Sequence, residues 1–354
     1  MKVLIPLLLT MMALVGCGGS SPHQAAATTT TSPAPSAAPA TSADPPAAAE
    51  RPVVVMRSPN GSVAATTADG TSLWAFDPHT IGLADPVLLT GGPNLLAIGD
   101  GRVVVIDRTG AVIGRGTYGG DSPMSDVPAM HPSPTGTRWA WTTVTTASPR
   151  ASTLWVAGLG EAPHRVKTWT GDFGVDSKQW SDAGIVVVKY DDSCGQLPLS
   201  SALVDPASGA ESALFGANRW PLDVRAGLRV AVDTEHRSLY VAGTAQMTRT
   251  YPLPIQAAGI GPSGSRLFVS GLSMSGCGGT AEAATYVVEV PSGQETTLAG
   301  FFADAWLDDT HLLGRSPVPG PPQGVTWSAH VQVADLSGHR SDLALGTLVG
   351  VLNR

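Results

Sequence analysis

The sequence has little charge. Asp, Glu, Lys and Arg together make up 14% of the 354 residues, the formal net charge is −7, and the basic residues form no stripe. Because nucleic-acid binding depends on clustered Lys and Arg, we expect no nucleic-acid partner. The same shortage disfavours attachment to an anionic membrane by charge alone.

Aromatic residues are also scarce, at 6%, although 9 of them are tryptophan. Glycine (41) and proline (29) are frequent. Both residues interrupt helices and favour turns, so the composition disfavours long helices and favours short strands joined by tight turns.

The N-terminal apolar run is too short to span a membrane. Val3–Val15 follows a single cation, Lys2, and covers about 13 residues, whereas a spanning helix needs about 20. A charged start, a short apolar run and small residues after it are typical of a secretory signal. The run ends in Leu14-Val15-Gly16-Cys17.

Leu14-Val15-Gly16-Cys17 resembles the lipobox of bacterial lipoproteins. The resemblance implies that residues 1–16 are a signal peptide, that the Cys17 thiol is diacylated, and that Cys17 becomes the first mature residue. We therefore expect a lipid-anchored protein on the extracytoplasmic side of the cell membrane or the outer membrane. The alternative is an ordinary signal with a cysteine at its cleavage site.

Residues 17–52 combine the lipidated cysteine with a linker rich in Pro, Ala and Thr. Residues 18–52 hold seven prolines, three formal charges and no aromatic or large aliphatic side chain. Such a segment buries too little apolar surface to offset its chain entropy, so we expect a disordered tether.

Only three cysteines occur. With Cys17 assigned to the lipid, Cys194 and Cys277 remain, and an even remainder in an exported protein predicts a disulfide. Two buried free thiols are the alternative. We see no zinc-binding spacing, no H-E-x-x-H, no G-x-S-x-G and no phosphate-binding glycine loop, so no catalytic residue, cofactor or metal site is predicted.

Residues 53–354 contain a repeat of about 42 residues. A tight turn before an apolar strand occurs seven times, at 58–61, 91–94, 133–136, 181–184, 225–227, 261–264 and 307–310. It alternates with a strand that ends in a small turn, at 73–82, 103–110, 153–160, 202–209, 238–244, 285–293 and 331–338. Four short antiparallel strands per unit predict an all-β fold, a β-propeller with seven four-stranded blades favoured and six or eight possible. The strands at 51–58 and 345–354 are expected to share one blade.

Two of these turns support a resemblance. SPTGTRWAW (133–141) and GPSGSRLFVSG (261–271) resemble the repeat motif of TolB-like and WD-repeat propellers, and DPASG (205–209) resembles a turn of the quinoprotein-like propellers of bacterial lipoproteins. The resemblance covers about residues 53–354. The sequence departs from it where Asn60, Thr135 and Ser263 replace the motif aspartate, and no W-D dipeptide ends a strand.

Long connections are predicted on one face only. With strands lettered A to D from the axis outward, the B–C connections at 145–152, 191–200, 272–283 and 316–328 are elongated. We predict a ligand face there. Asp191 and Asp192 are candidates to bind a cation or a basic ligand, or are solvated carboxylates. Trp327 is a candidate stacking platform, whereas Trp74, Trp139, Trp155 and Trp306 are expected to pack between blades.

These observations favour a binding or scaffold protein that takes a protein, small-molecule or glycan ligand on the B–C loop face. The alternative is a propeller hydrolase of the lactonase or glycosidase type, with its site near the axis. Such an enzyme needs metal ligands or paired carboxylates that converge in space, which the sequence does not reveal.

The predicted disulfide is testable by counting thiols. The purified, unreduced and denatured chain, with Cys17 lipidated, should have almost no reactive thiol if Cys194 and Cys277 are paired. The same chain after reduction is the control and should have two. Two reactive thiols before reduction would refute the bridge.

Overall fold

The structure is a computed structural model that describes residues 51–119, 129–145, 149–191, 197–274, 281–318 and 326–353. This part of the chain forms seven four-stranded antiparallel sheets and a two-stranded ribbon. The sheets are the blades of a propeller, as the repeat predicted. One short 3-10 helix (Pro78–Ile81) is present, and no described helix has the length and hydropathy needed to cross a bilayer.

The strands follow each other around the ring. Blade 1 contains β1 (Val53–Arg57), β2 (Val63–Thr67) and β3 (Ser72–Phe76). Blade 2 contains β4 (Val87–Gly91), β5 (Asn94–Gly99), β6 (Arg102–Asp107) and β7 (Val112–Thr117). Blade 3 contains β8 (Met130–Pro132), β9 (Arg138–Thr145), β10 (Ala151–Gly158) and β11 (Glu161–Thr170). Blades 4 and 5 contain β12 (Phe173–Ser181), β13 (Gly184–Asp191), β14 (Pro198–Val204) and β15 (Glu211–Phe215); and β16 (Arg219–Arg225), β17 (Leu228–Asp233), β18 (Ser238–Gly243) and β19 (Met247–Thr250).

The remaining strands complete blades 6 and 7 and close the ring. Blade 6 contains β20 (Ile255–Ile260), β21 (Arg266–Met274), β22 (Ala281–Glu289) and β23 (Glu295–Ala299). Blade 7 contains β24 (Phe302–Trp306), β25 (His311–Arg315), β28 (His330–Asp335) and β29 (Arg340–Leu345). The last strand, β30 (Thr347–Leu352), closes the ring. The ribbon of β26 (Pro317–Val318) and β27 (Thr326–Trp327) belongs to the connection between β25 and β28.

Both ends of the propeller share blade 1, as predicted. Its order is β30-β1-β2-β3, so the last strand of the chain is the innermost strand of the first blade. β30 pairs with β1 from Val53↔Leu352 to Arg57↔Thr347. Ring closure therefore depends on strand pairing and packing, because no loop of the chain joins β30 directly to β1.

The first repeat is out of phase with the other six. The turn at 58–61 joins β1 and β2, which are strands B and C, whereas the other six turns of that type join strands A and B. Likewise, 73–76 is strand D of its blade, whereas the corresponding segments of the other units are C strands. The reason is that strand A of blade 1 comes from β30, so counting strands from the N-terminal end shifts the first unit by one.

Seven clusters of buried apolar side chains hold the ring together, one between each pair of neighbouring blades. B and C strands are buried on both faces, as in Leu95–Ile98 and Val103–Ile106, because each blade lies between two others. Outer strands alternate between half-buried and exposed positions, as β7 does. This explains the continuous apolar runs that the sequence shows in the middle of each unit.

Tryptophans connect blades through packing and through their indole N–H groups. Trp139 and Trp141 are fully buried, and their Nε1 atoms donate to the carbonyls of Thr117 and Gly119 at 3.3 and 3.0 Å. Trp74 and Trp306 donate in the same way to carbonyls of the adjacent blade. The expected packing role of the strand tryptophans is confirmed, and it accounts for their high share of the aromatic residues.

The closing strand provides a test of the ring's dependence on its latch. Leu352 in β30 has no exposed surface, whereas Leu345 in β29 is 48% exposed. Leu352→Ala should lower the free energy of unfolding by about 2–5 kcal/mol, the usual cost of a cavity in a core. The matched control, Leu345→Ala, should change it by about 0.5 kcal/mol or less. Urea unfolding followed by tryptophan fluorescence measures both, and similar values for the two variants would contradict the latch.

Candidate functional site

One face of the propeller has the long connections. The longest are residues 316–329 between β25 and β28, 118–129 between β7 and β8, and 77–86 between β3 and β4. The other three predicted B–C connections are shorter than predicted, with residues 146–150, 192–197 and 275–280 between the strand ends. B–C and D–A connections leave the blades at the same end, so all of these connections lie on one face, as predicted for the four B–C connections. We call this end the loop-rich face, and the opposite end, with the A–B and C–D connections, the tight-turn face.

The tight-turn face is built from self-contained turns. In the C–D turns that begin at Asp205 and Asp335, each carboxylate accepts hydrogen bonds from the N–H and hydroxyl of a serine two or three residues later. Hydrogen bonds from Ser208 lower the pKa of Asp205, and those from Ser337 lower that of Asp335. These carboxylates stabilise turns, which leaves fewer polar groups on this face for a ligand.

Five inner strands contain a single-residue bulge. In each of these A strands, one residue lacks a cross-strand partner on strand B: Lys178 in β12, Leu222 in β16, Gln256 in β20, Asp304 in β24 and Val349 in β30. A bulge re-aims a side chain and leaves its residue outside the ladder. Since the A strands border the axis, opposite charges on blades 4 and 7, Lys178 and Asp304, lie on strands that line the central channel.

Blade 7 has a compact charged and aromatic cluster. Arg315 forms a bidentate pair with Asp304, with Nε–Oδ2 and Nη2–Oδ1 distances of 3.1 and 3.2 Å. Its guanidinium lies 4.8 Å from the ring centroid of Trp327, and that ring is 5.4 Å from Phe302 at an angle of 58°. Burial raises the pKa of Asp304, and the hydrogen bond and charge of Arg315 oppose that shift.

Trp327 therefore lies on the predicted face, in the ribbon of the blade 7 connection. The ring is half-buried and already has Arg315 against it. A ligand that contacts Trp327 would meet a side chain whose orientation is set in advance by Arg315 and Phe302. The role of Trp327 as a stacking platform stays a prediction.

A second polar cluster lies where blades 3 and 4 meet. The Nε2 of His131 in β8 is 2.8 Å from the Ser177 carbonyl oxygen in β12, so a neutral ring donates its Nε2–H to an inner-strand carbonyl of the next blade. Burial lowers the pKa of His131 to about 4, and Lys178 contributes in the same direction. The Lys178 ammonium is 3.4 Å from Asp176.

Tyr190 and Asp191 end strand β13 beside this cluster. Burial, together with the charge of Asp176, raises the pKa of the Tyr190 hydroxyl. The Asp191 N–H donates to the Leu197 carbonyl at 2.9 Å, which closes the base of the blade 4 connection. Asp191 thus lies on the loop-rich face as predicted, but in blade 4, and two blades separate it from Trp327 in blade 7.

The other predicted site residues, Cys17, Asp192, Cys194 and Cys277, lie outside the described residues. Their roles as lipidation site, ligand-face carboxylate and disulfide stay predictions. Within the described ranges, no group of three or more His, Cys, Asp or Glu side chains could hold a metal ion. The hydrolase alternative stays a hypothesis.

Buried polar contacts join the inner strands of blades 4, 5 and 6. Gln179 in β12 donates to the Asp223 carboxylate at 2.7 Å and accepts from the Val224 N–H at 2.9 Å. The second oxygen of Asp223 accepts from the Ile260 N–H in β20 at 2.7 Å. Inner strands pair on one side only, and these side chains satisfy part of the backbone that faces the axis.

Sequence reasoning missed His131, Asp304 and Arg315. A signal was present for Asp304, because FADAW (302–306) places one carboxylate inside an apolar strand that precedes a tight turn. No comparable signal identifies Arg315, which becomes notable only when β24 and β25 pair. His131 lies in a three-residue strand too short for a periodic pattern.

No protein-family model and no curated protein matches the chain. Solved structures do match. The acylaminoacyl peptidase of Pyrococcus horikoshii is 11% identical with a TM-score of 0.54, and the match covers 80% of this chain and 47% of the peptidase, so the chain spans about half its length. A protein assigned as a 6-phosphogluconolactonase from Bacteroides uniformis is 13% identical with a TM-score of 0.50, over 85% of this chain and 98% of the other. At these identities the likeness concerns the fold alone: the chain is a seven-bladed β-propeller.

The buried histidine makes a testable contribution to stability. The pKa of His131 is about 4 in the folded chain against an ordinary value of 6.5, so the unfolded state binds the proton first as the pH falls. The free energy of unfolding should therefore decrease between pH 6.5 and 4. His131→Gln keeps an N–H for the Ser177 carbonyl and should reduce that decrease, whereas the exposed control His79→Gln should not. Urea titrations at pH 7.0, 6.0, 5.0 and 4.5 measure this, and equal slopes for the three proteins would contradict it.

Proposed function

We propose that the chain is a lipid-anchored extracytoplasmic β-propeller that binds a protein, small-molecule or glycan partner on its loop-rich face. One observation carries the proposal: the three longest connections and all four predicted B–C connections leave the blades at the same end, while the opposite end is closed by tight turns. Loops on a rigid scaffold can vary in sequence without cost to the core, and they are where binding residues concentrate.

The side chains around that face support a polar and aromatic binding surface. Asp304, Arg315 and Trp327 form the cluster of blade 7, and Asp176, Lys178 and Asp191 lie on the neighbouring strands β12 and β13 of blade 4. Charges held in defined positions by pairs and by ring contacts lose little conformational freedom when a partner arrives. Both clusters thus suit recognition of a polar ligand.

The lipobox and the linker supply the other part of the proposal. Two acyl chains at Cys17 would anchor the chain firmly, because each buried methylene contributes about 0.8 kcal/mol. The 35 residues from 18 to 52 would serve as the tether between the anchor and the propeller. A partner in the same envelope layer would then be within reach.

Site-specific photo-crosslinking in intact cells tests which face binds. A photoreactive amino acid replaces Leu199 or His330, which are exposed on the loop-rich face, or the matched exposed residues Thr109 and Ser292 on the tight-turn face. We expect adducts from the first pair at several times the yield from the second. Equal yields, or higher yields from the tight-turn face, would reject the proposal.

The anchored state is verified in the same cells by membrane fractionation. The chain should sediment with membranes and incorporate a fatty-acid analogue, and Cys17→Ser should do neither. Membrane retention of Cys17→Ser would remove the lipid anchor from the proposal, and the crosslinking result would still decide the binding face.

A further inference from the structure

Three arginines of blade 5 differ from the other cations of the described chain. Arg219, Arg225 and Arg229 have no hydrogen-bond acceptor and no acidic partner among the described residues. Other cations are paired, as Lys167 and Lys189 are with Glu211 and Arg249 is with Glu295. The chain has a net charge of −7, so three arginines without an acidic partner in one blade are unusual. They indicate that a negatively charged group of a ligand or partner binds there.

Arg219 is the best oriented of the three. Its guanidinium lies 4.1 Å from the ring centroid of Tyr240, the shortest distance between a cation and a ring in the described part of the chain. The contact fixes the guanidinium plane against an aromatic face and leaves the N–H groups at its edge free to donate. The nearest acidic residue across the ladder, Asp233, already accepts from the backbone N–H groups of Arg237 and Ser238 at 2.7 and 3.1 Å.

The strand registers place Arg219 and Tyr240 on the same face of blade 5. Arg219 lies opposite Asp233, Ala231 lies opposite Tyr240, and Ala231 packs against blade 4. Arg219 and Tyr240 therefore face the seam between blades 4 and 5. Small alanines on blade 5, Ala231 and Ala242, leave space at this seam.

That space is a groove of about 490 Å³, which we call the Arg219 groove. Its volume lies in the range of ordinary small-ligand sites. Leu214 and Phe215 of β15 form one side, and Tyr240 and Met247 of blade 5 form the other. Arg219 is the only cation among its described lining residues. Gln246 and Thr248 add polar groups to the lining. The groove thus offers one planar cation, an aromatic ring from Tyr240 and the apolar side chain of Met247.

We propose that the Arg219 groove binds the carboxylate of a ligand with an apolar body. A carboxylate matches the guanidinium edge with two parallel N–H···O bonds, and its single negative charge matches one arginine. A phosphate group has a higher charge and is commonly held by several donors and cations, which fits the described lining less well. The carboxylate could belong to a small organic acid or to the C-terminus of a peptide with an apolar last residue.

The inference stands apart from the proposed function. The groove lies in the seam between blades 4 and 5, and its test uses neither the membrane anchor nor the crosslinking positions. A second cleft of about 350 Å³ in the same seam, at the tight-turn end, is lined by Arg225 and Arg229 and provides an internal control.

Ligand-observed NMR titration of the purified full-length chain tests the proposal. The probes are N-acetyl-L-phenylalanine and its amide, which share one apolar body and differ in charge. We expect the acid to bind with a dissociation constant in the millimolar range and the amide to bind at least ten times more weakly. Arg219→Gln should weaken binding of the acid by a similar factor, and Arg219→Lys by less, because it keeps the charge but loses the bidentate edge.

The controls separate the groove from general charge and from misfolding. Arg229→Gln removes an equally unpaired cation from the other cleft and should leave acid binding unchanged. Tyr240→Leu keeps an apolar wall but removes the ring, and it should weaken acid binding less than Arg219→Gln does. Thermal unfolding of each variant verifies the fold, and Arg219→Lys serves for the comparison if Arg219→Gln unfolds.

A peptide probe identifies the source of the carboxylate. Tighter binding of acetyl-Gly-Gly-Phe than of the acetylated amino acid would assign the groove to peptide C-termini, and equal binding would assign it to small acids. Equal affinity for the acid and the amide would overturn the proposal, as would unchanged acid binding by Arg219→Gln or a loss caused by Arg229→Gln.

Discussion

The structure depends on burial of both faces of every blade. A four-stranded sheet of this size cannot be stable with two apolar faces in water, and each blade solves the problem by packing between two neighbours. Seven seams with seven apolar clusters are the result. A blade left without a neighbour would expose a whole face of Val, Leu and Trp, so the ring has to close.

Closure imposes a second constraint, at the axis. Inner strands use one edge for pairing and turn the other toward the channel, where their backbone groups need partners. His131 binds the Ser177 carbonyl and Asp223 binds the Ile260 N–H across neighbouring blades. Bulges in the inner strands turn other residues, such as Asp304 and Lys178, out of the ladder. The polar side chains along the channel are thus those that bulges turn out of the ladder or that bind unpaired backbone groups of the inner strands. The long loops on the loop-rich face do not depend on these contacts.

Features that local sequence determines could be predicted, whereas contacts between residues on different strands could not. Local residue type and periodicity were enough to predict turns such as 133–136, the buried B and C strands, the long connection of blade 7 and the packing tryptophans. The phase of the first blade depends on β30, almost the whole chain away, so the positions of the turns do not reveal it. The pair of Asp304 and Arg315 and the stack of Arg219 on Tyr240 join residues 11 and 21 positions apart whose contact only the sheet register defines. Asp191 and Trp327 were placed on the correct face, because the face follows from strand counting, but their neighbours were not foreseeable.

The strand order of blade 1 also affects the order of events in folding. Every other pairing in the described sheets joins strands that are neighbours along the chain or are separated by a single long connection, so those hairpins can form early. The pairing of Val53 with Leu352 joins residues about 300 positions apart, and its loop-closure entropy is the largest in the molecule. The latch is therefore the contact of highest sequence separation, and the ring should assemble as an open arc whose final event is the docking of β30 beside β1.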